Sequence, residues 1–226
     1  MTRLNRRLAQ LHPDISRRRA DALIAANRVY VNQRPARLGQ TVHHSDDIYV
    51  RGYHLQPTET KTILLNKPAG YIVSRTQQGS APTVYDLLPD TLQHLHPIGR
   101  LDKPSRGLLL LSTDGALTER LTHPRYQKTK IYHVTLDDRL PDQALRALNQ
   151  GVELEDGCSR LQVQHRCHTT YEVRMHEGRY RQIRRTIQAV GYQVHDLLRV
   201  QFGDYHIGET AEGAYRFVST DSQTRN

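Results

Sequence analysis

Apolar residues recur along this chain at two different spacings, and the places where one spacing gives way to the other mark its elements. From Arg3 to Leu11 the leucines fall at helical intervals, so a helix is expected there, ended by a break at Pro13-Asp14. Ser16 stands where an N-cap belongs, ahead of a second helix from Arg17 to Asn27. On that helix Ala20, Leu23 and Ile24 share one face, while Arg17, Arg18 and Arg28 fall largely on others. One side can be buried while guanidinium groups face phosphates. Val29-Tyr30-Val31-Asn32 then alternates as a strand does, and after a turn at Arg37 to Gly39 the run Asp46-Asp47-Ile48-Tyr49-Val50 reads as another. These elements make a first domain of residues 1–52, marginal in size for an independent core but sufficient for a binding module.

Residues 53–61 are polar and aperiodic, which marks a linker. A second domain spans residues 62–226. Its expected strands are Ile63-Leu64-Leu65, Tyr71-Ile72-Val73, Gly107 to Ser112, Lys130 to Leu136, Thr170 to Met175 and a final group through Val218. Its expected helices are a short one at Val84 to Leu88, an amphipathic one at Asp114 to Thr122, Pro141 to Asn149 with Gly151 just past its end, and a basic one from Arg179 to Val190 stopped by Gly191. Strands and helices interleave without strict alternation, so the fold class is α+β rather than a doubly wound sheet.

Composition adds a partner. Thirty-two Lys and Arg against 23 Asp and Glu leave a net charge of +9 in 226 residues, with a pI near 9.8. That balance suits a protein that meets a polyanion, either nucleic acid or an anionic membrane surface. No apolar run approaches the roughly 20 residues of a membrane span, and the first residues lack a signal-peptide pattern, so a soluble, cytoplasmic protein without membrane partners is expected. Cys158 and Cys167 match no metal or redox spacing and read as reduced structural thiols. Thirteen histidines, with His43-His44, His94 and His96 nearest to clusters, show no helical pair with acid or thiol partners, so no metal is expected.

Candidate chemistry concentrates in Gly99-Arg100-Leu101-Asp102-Lys103-Pro104-Ser105-Arg106-Gly107, which runs into Leu108-Leu109-Leu110-Leu111. A carboxylate between Arg100 and Lys103, on a Gly- and Pro-containing loop entering a buried strand, can be held ionised as a nucleophile. The same charge pattern also fits a plain Asp102–Arg100 pair at a strand end.

The segment resembles the catalytic signature of the pseudouridine synthases that modify ribosomal RNA, and other segments follow in that family's order. Asn66-Lys67-Pro68-Ala69-Gly70 resembles its first motif, Lys130-Ile131-Tyr132-His133-Val134 the segment with its active-site tyrosine, and Glu177 through Arg185 its last motif. The first domain, through Arg3-Leu4, Ser16-Arg17-Arg18, Arg28-Val29 and Val31-Asn32, is similar to the small RNA-binding domain of a small-subunit ribosomal protein. One departure is Ser105-Arg106, where many relatives carry Thr-Ser. Ser105 keeps a hydroxyl for loop support, and Arg106 adds a cation.

The resemblance implies a small N-terminal RNA-binding domain followed by a catalytic domain of pseudouridine synthase type with a mixed, mostly antiparallel sheet. It implies isomerisation of a uridine in structured RNA, with ribosomal RNA, of the large subunit first, ahead of transfer RNA, by a monomer that needs no cofactor. Asp102 would start glycosidic cleavage, Tyr132 would stack on the uracil, and Arg184 would pair with Asp102. Ile183 would line the site, with Arg100 and Lys67 in support. Lys103, Arg106 and Arg181 would contact RNA around the site, and Arg3, Ser16, Arg17, Arg18 and Arg28 would give the first domain its grip. The competing readings are a catalytically silent RNA-binding or ribosome-assembly factor, which would have no need of Asp102, Tyr132 and Arg184 together, and a DNA-binding regulator using Arg17 to Asn27, for which no dimerisation segment is evident.

Overall fold

The computed structural model describes residues 1–12, 15–56 and 59–219, so the expected break at Pro13-Asp14 lies outside the described residues. The chain forms two compact units, one built mainly on residues 1–61 and the other on most of the chain from residue 62. Among the described residues no helix is long and apolar enough to cross a membrane.

The first unit contains β1 (Thr2–Arg3), α1 (Leu4–Leu11), α2 (Arg17–Ala25), β2 (Val29–Val31), β3 (Arg34–Pro35), β4 (Thr41–Val42), β5 (Ile48–Val50) and β6 (Tyr53–His54). Leu4, Leu8 and Leu11 of α1 bury against Ala20 and Ile24 of α2 and against Val29, Val31 and Ile48 of the sheet β3-β2-β5-β6. The Ser16 hydroxyl caps α2 by accepting the Arg19 backbone N–H at 3.2 Å. α2 ends at Ala25, short of the expected Asn27, which turns left-handed at φ 54°. The sheet also claims Tyr53 and His54, which the sequence reading gave to the linker. Arg51 and Gly52 both take positive φ, making a tight hairpin that lays His54 opposite Tyr49, with their rings stacked at 4.8 Å.

The second unit contains β7 (Thr62–Lys67), β8 (His96–Ile98), β9 (Arg106–Ser112), α3 (Gly115–Thr122), β10 (Lys130–Leu136), α4 (Asp142–Gln150), β11 (Val152–Leu154), β12 (Gly157–Ser159), β13 (Gln162–Cys167), β14 (Thr170–Met175), α5 (Gln182–Ala189), β15 (Val194–Phe202), β16 (Tyr205–His206) and β17 (Tyr215–Phe217). Its main sheet runs β13-β14-β10-β15-β9-β7-β17, with β8 on β9 and β16 on β15, while β11 and β12 form a separate hairpin. Every pairing with a described register is antiparallel except β9 with β15. This is the mixed, mostly antiparallel sheet expected of an α+β fold. β7 is buried along its whole length and β9 along all but its first residue, which is why their sequences are continuous apolar runs rather than alternating ones. Leu64, Leu108 and Leu110 pack there against Leu117 and Leu121 of α3 and against Phe202.

Three expected elements differ. Tyr71-Ile72-Val73 forms no strand and contributes a single bridge, Ile72 to Thr83. Val84–Leu87 is one turn of 3-10 helix. The basic helix begins at Gln182 rather than Arg179, because Arg181 is left-handed at φ 47° and ψ 34°. Cys158 and Cys167 are free and exposed rather than structural.

Candidate active site

A cavity of about 350 Å³ opens in the second unit, within the range of small-molecule sites. Three segments converge on it: the loop from β8 to β9, the strand β10, and the loop that enters α5. The first supplies Arg100, Leu101, Asp102 and Ser105, the second Tyr132, and the third Tyr180 and Arg181, followed by Ile183 and Arg184 from the first turn of α5, with Met175 and Leu197 as apolar wall.

The Asp102 loop is fixed through its backbone. Lys67, at the end of β7, is fully buried, and its ammonium donates to the carbonyl oxygens of Ser105 at 2.6 Å and Pro68 at 2.9 Å, with those of Asp102 and Lys103 at 3.3 and 3.4 Å. Burial pulls the Lys67 pKa down from 10.5 to about 8, against the opposing charge of Asp102. The Ser105 N–H closes the turn onto the Asp102 carbonyl at 3.0 Å, and the Gly70 N–H holds the Lys103 carbonyl at 2.8 Å. The Ser105 hydroxyl, expected to support the loop, is buried with no hydrogen-bond partner; the residue's main chain does that work. Below the loop, β9 approaches β15 in parallel, with Gly107 opposite Arg199. Gly107 sits at φ +103°, and a Cβ there would lie 2.4 Å from the Arg199 carbonyl oxygen, so glycine is required.

The Asp102 side chain is partly exposed at the cavity and has no hydrogen bond or ion pair among the described residues. It is the single carboxylate among the lining residues, against Arg100, Arg179, Arg181 and Arg184. The Arg184 pair expected for it is not formed within 4 Å. Arg184 instead donates to the carbonyl oxygens of Val194 at 2.9 Å and Pro104 at 3.5 Å, bonds that tie α5 to the start of β15 and to the Asp102 loop respectively. Its Nε is buried without a partner. Burial and the Arg181 charge hold the Arg184 pKa below its ordinary value, while Asp102 and Asp196 pull the other way. The two groups therefore interact through space, not by contact.

Tyr132 is buried on β10 opposite Arg199 of β15, and the register shifts between Ile131 and Tyr132. Such an irregularity re-aims a side chain next to a site. Ile183, 4% exposed, is an apolar lining group as expected. Lys103 and Arg100 are exposed. Arg106 differs from expectation: its guanidinium grips Asp196 in a two-point pair at 2.8 and 2.7 Å, with Glu212 at 3.6 Å, so its charge is neutralised within the fold.

Sequence reasoning missed four residues here. Arg179 and Arg185, counted as part of a phosphate-binding helix face, both bind Asp156, and Arg179 also donates to the carbonyl oxygens of Gly157 and Cys158. They pin the β11–β12 hairpin to the start of α5. Lys130, whose pKa burial lowers to about 8, donates to the carbonyls of His176 and Glu177 at 3.2 Å each, steadying the loop that carries Tyr180 and Arg181. Arg199, 2% exposed, donates to the Leu108 carbonyl at 2.7 Å from between the central strands. A positive residue inside an apolar strand pattern was the one available signal for it. In the first unit Arg3, Ser16, Arg17, Arg18 and Arg28 are all exposed.

The lining includes no histidine and no second carboxylate. Neither two-carboxylate hydrolysis nor a Ser–His relay can be assembled from it. A lone carboxylate, an aromatic floor and a basic wall suit attack on, or proton removal from, a planar ring carried by a polyanion.

Comparison with known proteins points the same way. A family described as RNA pseudouridylate synthase matches residues 61–189, and one described as S4 domain matches residues 2–48. An uncharacterized RNA pseudouridine synthase of Aquifex aeolicus is 36% identical over 212 residues, covering 89% of this chain and 84% of its own length. The ribosomal large subunit pseudouridine synthase B of Bacillus subtilis is 34% identical over 210 residues, covering 87% and 86%. A crystal structure of a pseudouridylate synthase superposes with a TM-score of 0.70 at 29% identity, covering 97% of this chain and 96% of that one.

Proposed function

This chain belongs to the RNA pseudouridylate synthase family and isomerises uridine to pseudouridine in RNA, and from that premise we propose how its cavity does so and on which RNA. The substrate is a uridine in large-subunit ribosomal RNA, as the name of the relative in Bacillus subtilis suggests. The first unit grips that RNA through Arg3, Arg17, Arg18 and Arg28, releasing counterions from the phosphates, with Ser16 holding the helix that presents two of them. A stacked uridine cannot reach a recessed carboxylate, so the nucleotide is flipped out at a cost of a few kcal/mol, which loops and bulges reduce.

The observation that carries the proposal is the Asp102 carboxylate, unpaired in a cavity wall of arginines. Ionised there, it opens the reaction as nucleophile or base. The bond from ribose to ring nitrogen breaks, the uracil turns on Tyr132, and the ribose rejoins through a ring carbon. The proton on that carbon leaves and the ring nitrogen ends protonated, so atoms and charge balance without redox change. Arg184 favours the ionised Asp102 through its charge. Ile183 keeps the ring side dry, and Arg100, Lys103 and Arg181 take phosphates at the rim. The chain acts as a monomer.

The test maps pseudouridines in total RNA from cells with and without the gene, complemented by wild type or Asp102→Asn. The expected result is a large-subunit site that disappears, returns with wild type and stays absent with the variant. Because the Asp102 side chain has no bonded partner, the variant should melt within about 2 °C of wild type. Full restoration by Asp102→Asn removes Asp102 from the reaction. No lost site favours a silent RNA-binding factor.

A further inference from the structure

We propose that Tyr180 is the seat of a second nucleobase, the neighbour of the uridine that enters the cavity. The cavity has two tyrosines at different depths. Tyr132 is 7% exposed at its floor, whereas Tyr180 is 73% exposed. An aromatic ring so open to water at the edge of a site is a surface awaiting a flat partner.

Its exposure does not come from a loose loop. On one side the Lys130 ammonium holds the carbonyls of His176 and Glu177. On the other, the Arg179 guanidinium binds Asp156, Gly157 and Cys158, and the Arg179 backbone N–H donates to the Gln182 side-chain oxygen at 3.1 Å. Arg181 then takes the left-handed conformation, which ordinary side chains rarely adopt without a reason, and both Tyr180 and Arg181 line the cavity. The Arg181 side chain has no hydrogen bond or ion pair among the described residues, while its backbone carbonyl accepts the Arg185 N–H at 3.0 Å, so a ring and a cation stand side by side on fixed backbone.

RNA chemistry supplies the occupant. When the target uridine flips out, the base next to it loses a stacking face. An exposed tyrosine at the cavity mouth can replace that face, while Arg181 meets the intervening phosphate. Stacking uses the π-face that every base has, so the seat selects for the presence of a base and not for its identity. The inference rests on the synthase reading of the cavity.

The test uses an RNA fragment carrying the mapped uridine, with an intact or abasic nucleotide on its 5′ or 3′ side. Tyr180→Ala should raise KM roughly 5- to 150-fold, the range for one base stacked on an aromatic ring, with kcat at saturation within about 3-fold. Tyr180→Phe should keep the wild-type KM. An abasic nucleotide on one flank should cost wild type a similar factor and cost Tyr180→Ala nothing further. Multiplying penalties on both flanks, or a loss in kcat with KM unchanged, overturns the proposal. Direct filter binding of the same RNAs to Asp102→Asn and to Asp102→Asn/Tyr180→Ala reads the stacking without turnover. If Asp102→Asn turns over while the binding pattern holds, the catalytic reading fails and the base seat stands.

Discussion

Replacing Lys67 by Met removes the ammonium that gathers four backbone carbonyls beneath the Asp102 loop while keeping the side chain's bulk. Two of those contacts are short, at 2.6 and 2.9 Å, and hydrogen bonds to a charged donor contribute about 1.5–3 kcal/mol each. Against roughly 3–6 kcal/mol stands the burial cost of the charge, about 3 kcal/mol at most for a pKa drawn from 10.5 to about 8. The carbonyls left bare in the variant add about 1–3 kcal/mol each to the loss. Counting the two short contacts, the expected net destabilisation at pH 7 is about 2–9 kcal/mol, a fall in Tm of at least roughly 4 °C for a chain of this size.

The pH dependence separates this account from simple loss of packing. The folded pKa lies below the unfolded one, so the native state sheds the Lys67 proton first. Wild-type stability from this group therefore rises as pH climbs from about 8 towards 10.5. By pH 9.5 the gap between wild type and Lys67→Met should widen by about 1–2 kcal/mol after screening. Lys130 titrates near the same value in both proteins and cancels from the difference. Urea unfolding at pH 7 and 9.5 measures both quantities. A variant as stable as wild type at pH 7, or a gap that does not change with pH, refutes the reasoning.

Two further outcomes follow from the geometry. Gly107→Ala places a Cβ 2.4 Å from the Arg199 carbonyl oxygen at φ +103°, so it should cost at least about 3 kcal/mol, seen as a Tm lower by 6 °C or more, and should abolish turnover by parting β9 from β15. A melt within 2 °C of wild type contradicts the close approach. Arg17→Ala/Arg18→Ala should weaken RNA binding uniformly and reduce the slope of log K against log salt by about 1–2, with kcat at saturating RNA preserved. An unchanged slope takes these residues off the phosphates.

Local signals were legible in the sequence. β10 and β14 have the bounds that strand alternation predicts, Lys130–Leu136 and Thr170–Met175, and α2 starts behind its Ser16 cap. The convergence of Asp102, Tyr132, Ile183 and Arg184 on one cavity followed from ordered motifs, which carry long-range information that spacing alone lacks. What could not be read was the use of each charge. Arg106, Arg179 and Arg185 look like phosphate ligands in a basic run, yet each closes on an acid far away in the chain, Asp196 or Asp156. Lys67 and Arg199 look exposed by residue type and are buried, because strand ends and central strands put carbonyl oxygens around them. Tyr71-Ile72-Val73 has strand composition, but beyond the Ile72 bridge the described backbone gives it no ladder to join.

The parallel seam between β9 and β15 also sets a timetable. Arg199 binds the Leu108 carbonyl across 91 positions of chain, and Arg106 meets Asp196 across 90. During synthesis at about 5–20 residues per second, β9 waits roughly 5–20 seconds for its neighbour to be made. The strand that anchors the Asp102 loop stays without that edge until then, since a non-local contact cannot form before its second half exists. The nascent enzyme is thus inactive by topology: a growing chain can expose its first domain to RNA well before the cavity closes.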